Sequence, residues 1–208
     1  NPDNGNIGYT LKYDSTYGRL PNKIESSKTG LEIDGSFIEV THKSSIDEVN
    51  WKKNKVDIVI DSSGVVENIK KARNLKGISK CIVTHSPDVS LVDKTIILGV
   101  NEKEINDDDF VLASSICDAN AFAPVANLLN KKFGIEHGFV TTLHPWLNYQ
   151  NLLDGSSKSF AYPDKIHHEY ALGRASPNAL IPKPTSCIDA TCKVLPDLVG
   201  KISSHSFR

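Results

Sequence analysis

Phe110–Gly134 reads FVLASSICDANAFAPVANLLNKKFG, and the change of character in its middle decides the fold. Phe110–Ala113 is apolar and extended, with β-leaning residues. Beyond Asp118, apolar residues recur at Phe122, Val125, Leu128, Leu129 and Phe133, the spacing of one helix face, and Gly134 closes the run. Cys117 therefore falls at or near a helix N-terminus, straight after a strand. Unsatisfied backbone N–H groups at such a position stabilise negative charge and so favour a thiolate. The same thiol can also be read as a small residue packed at a tight turn.

Working upstream, short apolar strands alternate with helical stretches. Asp57–Asp61 (DIVID) reads as a buried strand broken by Ser62-Ser63-Gly64, and Val65–Leu75 reads as a helix with basic residues on its outer face. Lys80–Thr84 is the next strand, broken by His85-Ser86-Pro87. Thr95–Val100 follows, and an acidic loop leads into Phe110–Ala113. Strands alternating with helices predict a parallel, doubly wound sheet. Ligands of such sheets sit beyond the carboxyl ends of the strands, where SSG, THSP and SSICD all lie. Those three ends are either a pocket rim or ordinary connecting loops. Leu31–Val40 reads as a hairpin around Asp34-Gly35, and Asn106–Asp109 as a solvated acidic loop.

Downstream, Gly138–His144 reads as a strand ending in a histidine. Asp154–Pro184 is long and aperiodic, and loops of that length inside a compact domain are usually functional or disordered. Thr185-Ser186-Cys187 opens a helical stretch to Leu195, and Lys201–Phe207 is a final weak strand.

The bulk numbers exclude several classes. Basic and acidic residues number 24 and 25, so nothing favours nucleic acid or a polybasic membrane surface. No apolar run has the length of a membrane span, and residues 1–20 hold no signal-like core. The four cysteines are irregularly spaced in a chain large enough to bury a core, which points to a reducing, cytoplasmic setting. The chain has no methionine, opens on NPDNGNIG and stops at SFR, and it reads as a piece of a longer protein trimmed at both ends.

A nucleophilic cysteine needs a base from another element, most often histidine. Of seven histidines, His144 stands at a rigid strand end, whereas His167 and His168 fall in the irregular stretch and His205 near the terminus. Cys187 and Cys192 lack a partner pair for zinc and read as packing residues; no metal is expected. Thr185-Ser186 either holds an anion with hydroxyls and free N–H groups or is an ordinary cap.

With these residues in place, the chain resembles the phosphorylating glyceraldehyde-3-phosphate dehydrogenase family, colinearly over nearly its whole length. LKYDSTYGR at Leu11–Arg19 is similar to the family's KYDSTHG, and DSSGV at Asp61–Val65 to ESTGV. SSICDAN stands for SASCTTN, and TTLH at Thr141–His144 for TTVH. KPTS followed by KVLPDLVGKISSHSFR resembles ASTG followed by KVIPELNGKLTGMAFR. The resemblance implies a catalytic thiol at Cys117 and a general base at His144. It implies a thiohemiacetal, hydride transfer to NAD or NADP, and release of the acyl-enzyme by phosphate. It places Ser63, Gly64 and Thr84 on the cofactor groove, and Thr185, Ser186 and Arg208 on substrate or inorganic phosphate. The stretch before Pro184 matches the family's S-shaped loop, implying a tetramer. The glycine-rich dinucleotide fingerprint would lie upstream of Asn1, and part of the catalytic domain would follow Arg208.

The departures are specific. Ile116 stands for the family's serine before the thiol, and Asp118 for the threonine after it, both near the implied inorganic-phosphate position. An acid beside a thiolate opposes it by like-charge repulsion. Leu147 and Tyr149 replace polar residues that hold the substrate's own phosphate. The expectation is thus an α/β protein, with a partial Rossmann-type NAD(P)-binding domain at residues 1–115 and a partial α+β catalytic domain at 116–208. The function it implies is an NAD(P)-dependent aldehyde dehydrogenase. The alternatives are a relative acting on a less charged aldehyde, or an inactive paralogue with a binding role.

Overall fold

The computed structural model describes residues 3–147, 150–156 and 170–208, and the chain divides into two compact units, Asn1–Asn50 and Trp51–Arg208. In the first, α1 (Asn4–Lys12) starts at Asp3, whose carboxylate accepts from the Asn6 N–H at 2.7 Å. β1 (Tyr13–Asp14) and β2 (Gly18–Arg19) form a short antiparallel pair. β3 (Ile24–Ser26), β4 (Gly30–Ile33) and β5 (Ser36–Glu39) form an antiparallel sheet in that order. The expected hairpin is there: Asp34 and Gly35 both take positive φ, 49° and 81°, which a tight two-residue turn requires.

The second unit carries β6 (Ile58–Asp61), α2 (Val66–Ala72), β7 (Lys80–Val83), β8 (Lys94–Thr95) and β9 (Val111–Ala113). The strand order is β6-β7-β9-β8, and every neighbouring pair is parallel. The carboxyl ends of β6, β7 and β9 therefore share one edge, as expected of a doubly wound sheet. α3 (Cys117–Phe133) follows, then β10 (Gly138–Leu143), β11 (Pro182–Lys183), α4 (Cys187–Cys192) and β12 (Ile202–Phe207). β10 and β12 run parallel from Gly138↔Ile202 to Leu143↔Phe207, with β11 antiparallel on the far side of β12. Among the described residues no helix is long and apolar enough to cross a membrane.

Three expectations need correction. Only Thr95 of the expected strand Thr95–Val100 belongs to a strand, β8. Asn101 curls the chain there: its Oδ1 accepts from the Ile97 N–H, its Nδ2 donates to the Thr95 carbonyl, and Gly99 takes φ 80°. β6 is not buried on both faces, since Ile58 and Ile60 are 53% and 65% exposed at the sheet edge. The acidic loop is also more than solvated surface. Its carbonyls at Asn106, Asp107 and Asp109 accept from the Lys80 ammonium.

The core of this unit joins α3 to α4 and to the second sheet. Ala119 and Ala123, one turn apart on α3, pack with Ala190 of α4 and with Ile97, and Ala126 packs with Leu198 and Ile202. Small residues on the facing turns let the two helices approach closely, which brings the starts of α3 and α4 together.

Asp93 ties β9 to the end of α2. Its carboxylate accepts from the N–H groups of Phe110 and Val111 at 2.8 and 2.7 Å and from Arg73 at 2.7 Å. Burial pushes its pKa up, but the two backbone donors and the guanidinium together outweigh burial and hold it below the usual carboxylate value. A depressed folded-state value contributes stability that is present above the unfolded value of about 3.9 and is lost as pH falls through the folded one. Asp93→Ala should lower the unfolding free energy by about 2–3 kcal/mol near neutral pH, leaving two backbone donors unpaired. In urea titrations, the gap between wild type and variant should shrink as pH is taken below about 4.

A candidate cysteine–histidine active site

Cys117 is the first residue of α3, and its side chain is exposed. The turn that delivers it is strained. Ser115, buried at 1% exposure, takes φ 62°, a left-handed conformation that costs a non-glycine residue about 1–2 kcal/mol. Asn120 secures the turn by donating from Nδ2 to the carbonyls of Ser114 and Ile116 at 2.8 and 3.0 Å.

His144 is the first residue past β10, held by its N–H donating to the Phe207 carbonyl at 3.0 Å. The structure brings its imidazole and the Cys117 thiol together: Cys117 Sγ, an Asp118 carboxylate oxygen and a His144 ring nitrogen lie within 4.8 Å of one another. That trio is also a donor set able to hold a soft divalent ion.

Asp118 is the centre of the cluster. Its side chain is only 9% exposed and that of His144 only 12%. The His144 Nε2 lies 3.0 Å from Asp118 Oδ1 and 3.3 Å from Oδ2, with Thr142 Oγ1 at 3.2 Å. Thr185 Oγ1 donates to Asp118 Oδ2 at 3.0 Å and accepts from the Cys187 N–H at 3.2 Å. The Cys117 thiol lies 3.7 Å from Asp118 Oδ1, within reach as a weak donor. One carboxylate thus gathers the starts of α3 and α4 and the end of β10. Sequence reasoning saw Asp118 as a repulsive neighbour near the implied inorganic-phosphate position and missed Thr142, although Thr142 and His144 share one strand face by their spacing of two.

The remaining expected residues lie as follows. Ser63 and Gly64 are exposed just past β6, and Thr84 is exposed just past β7, its N–H donating to the Asp61 carbonyl at 3.0 Å. Ser186 is exposed before α4, and Arg208 pairs its backbone with Ile181 beside the same sheet end as His144. Ile116 packs into the Ile97–Ala119–Ala190 core, so it does not line the site. Leu147 donates its N–H to Gln150 Oε1 at 2.7 Å. Tyr149, His167 and His168 lie outside the described residues. A groove of about 510 Å³ beside the thiol is walled by Phe122, Val125, Val140 and Leu143, with the polar cluster at one end.

At the strand ends carrying Ser63, Gly64 and Thr84, Asp61 Oδ2 and both ring nitrogens of His85 are buried with no hydrogen-bond partner among the described residues. No described atom lies within 4 Å of a Cβ built at Gly64. Together these leave polar groups and space of the kind a dinucleotide needs.

A parallel α/β sheet leading into a helix-start thiol beside a strand-end imidazole defines an α/β protein with a cysteine-centred site. Residues 2–69 match the family model described as glyceraldehyde 3-phosphate dehydrogenase, NAD binding domain, and residues 116–208 the model of its C-terminal domain. The chain belongs to the glyceraldehyde-3-phosphate dehydrogenase family. It is 33% identical to glyceraldehyde-3-phosphate dehydrogenase 1 of Schizosaccharomyces pombe over 203 residues, 97% of this chain and 57% of that one. It is 35% identical to the Kluyveromyces lactis protein of that name over 201 residues, 96% and 57% of the two chains. The cytosolic enzyme of Chlamydomonas reinhardtii is 33% identical over 204 residues, 97% and 57%. The chain therefore spans under two thirds of the length of these relatives.

Burial holds the thiols of the other cysteines above the ordinary value. Burial first, then the Asp61 carboxylate, pushes the Cys81 thiol up to about 11; burial and then Asp118 do the same for Cys187. Burial and Asp189 also raise Cys192. At neutral pH a thiol titrating near 11 is about one part in ten thousand thiolate. Iodoacetamide at pH 7 should modify Cys117 first, with Cys81 and Cys187 protected until the chain is unfolded. Peptide mass spectrometry over a time course checks this, and equal labelling of all cysteines would contradict it.

Proposed function

We propose that this chain carries the reaction centre of an NAD-dependent aldehyde dehydrogenase of the glyceraldehyde-3-phosphate type. The observation that carries the reading is the exposed Cys117 thiol at the start of α3 beside the His144 imidazole. In this reading Cys117 attacks the aldehyde carbon and His144 takes the thiol proton. The free N–H groups of the first turn of α3 face the developing oxyanion, where fixed donors lower the barrier. Ser63, Gly64 and Thr84 would hold NAD, which when bound would supply the hydride acceptor for oxidation at the Cys117-bound carbon. Ser186 and Arg208 orient the anionic end of the substrate, the Thr185 hydroxyl being engaged by Asp118. His144 must exchange its contact with Asp118 for one with the thiol, whose sulfur lies within 4.8 Å of a ring nitrogen.

Residues 1–115 form the dinucleotide-binding part and residues 116–208 the catalytic part, a division supported by the second family match starting at 116. A cytoplasmic homo-tetramer belongs to the same reading, from the free thiols and from the likeness of the stretch before Pro184 to an interface loop. Glyceraldehyde 3-phosphate is the first substrate to test. A less charged aldehyde is the second reading, favoured by the apolar walls of the groove beside the thiol.

With NAD and either aldehyde, NADH should form in a burst of one equivalent that is absent in Cys117→Ser. His144→Asn should slow the burst by about 10²–10⁴-fold, the usual worth of a positioned base. Stopped-flow absorbance at 340 nm checks both, and an unchanged burst in His144→Asn would overturn the base assignment. A higher kcat/KM for the unphosphorylated aldehyde would favour the second reading.

A further inference from the structure

We propose that the acyl group on Cys117 is released by water, so that the product is a free carboxylic acid instead of an acyl phosphate. This rests on the nucleophilic role of Cys117 proposed above. An incoming phosphate would need polar donors and a favourable potential next to the thiol. The Thr185 hydroxyl donates instead to Asp118 at 3.0 Å, and His144 Nε2 lies 3.0 and 3.3 Å from the two oxygens of the same carboxylate. The Thr185 hydroxyl and the His144 imidazole are therefore engaged by an anion built into the chain, one residue from the nucleophile.

A second anion would have to displace these bonds and sit against a carboxylate that is largely shielded from solvent, where like-charge repulsion is poorly screened. Water meets neither obstacle. It is neutral, it can donate to an oxygen of Asp118, and the Cys117 sulfur lies 3.7 Å from that carboxylate. The water oxygen bonds to the thioester carbonyl carbon, and the carbon–sulfur bond breaks with its electron pair passing to sulfur. The proton lost by the water passes to Asp118 and on to the sulfur or solvent. No electrons leave the acyl group in this step, since its oxidation ended with the earlier hydride loss.

The test needs no dinucleotide. The chain is acylated with p-nitrophenyl acetate, and turnover is followed from zero to roughly 50 mM inorganic phosphate at constant ionic strength. A burst of one equivalent, absent in Cys117→Ser, followed by a steady rate that changes less than about two-fold with phosphate and yields only acetate, is the expected result. In Asp118→Thr and the isosteric Asp118→Asn, both checked for folding by circular dichroism, phosphate should raise the rate by about five-fold or more and acetyl phosphate should appear. Acetyl phosphate formed by the unaltered chain would overturn the proposal while leaving the nucleophile intact. Phosphate-insensitive turnover in both folded variants would overturn the role given to the carboxylate. A missing burst in the unaltered chain would overturn the nucleophile itself, and the proposal with it.

Discussion

The second unit turns on one buried carboxylate. Asp118 bonds the imidazole past β10 and the hydroxyl before α4, and it borders the thiol of its own helix. A charge removed from water is tolerated only where its oxygens are paired, and here both partners come from other elements. Its position in the first turn of α3 adds support from the helix dipole. The same interaction thus serves stability, by joining three elements, and chemistry, by setting which groups next to the thiol remain free to bind anything else.

The scaffold around that carboxylate follows from simpler rules. Parallel pairing of β10 with β12 ends both strands together, so His144 is fixed by the Phe207 carbonyl and Arg208 stands beside it. The alanine face of α3 lets α4 come close enough for Thr185 to reach Asp118. The left-handed Ser115 turns the chain sharply between β9 and α3, and its strain is held by a buried setting and by the Asn120 bonds. Strain of this kind, next to an exposed thiol, is common where a side chain has to be presented and not packed.

Much of this was legible in the sequence, and what was legible is local. The β-leaning run into Ala113, the helical spacing from Phe122 to Phe133 and the closing Gly134 place Cys117 at a helix start without any tertiary knowledge. The Asp34-Gly35 turn and the parallel order of strands read equally well, because turn chemistry and strand–helix alternation are short-range signals. The misreadings share a cause. Thr95–Val100 has strand-like composition, but the side chain of Asn101, the next residue, bonds back to Ile97 and Thr95 and bends it away. Asp118 carries a sign that suggests repulsion of its neighbour. Its actual partners stand 26 and 67 residues away, a pairing that only the tertiary fold reveals. Ile116, next to the thiol in sequence, is turned into the core by the helical geometry that exposes Cys117.

The most direct measurement is a double-mutant cycle on Asp118 and His144, using Asp118→Asn, His144→Asn and the double variant in equilibrium urea unfolding at pH 6. Groups in direct contact within a shielded network should show a coupling of about 0.5–3 kcal/mol. Additive losses, with a coupling indistinguishable from zero, would mean that the carboxylate does not hold the imidazole, and the centre described here would come apart.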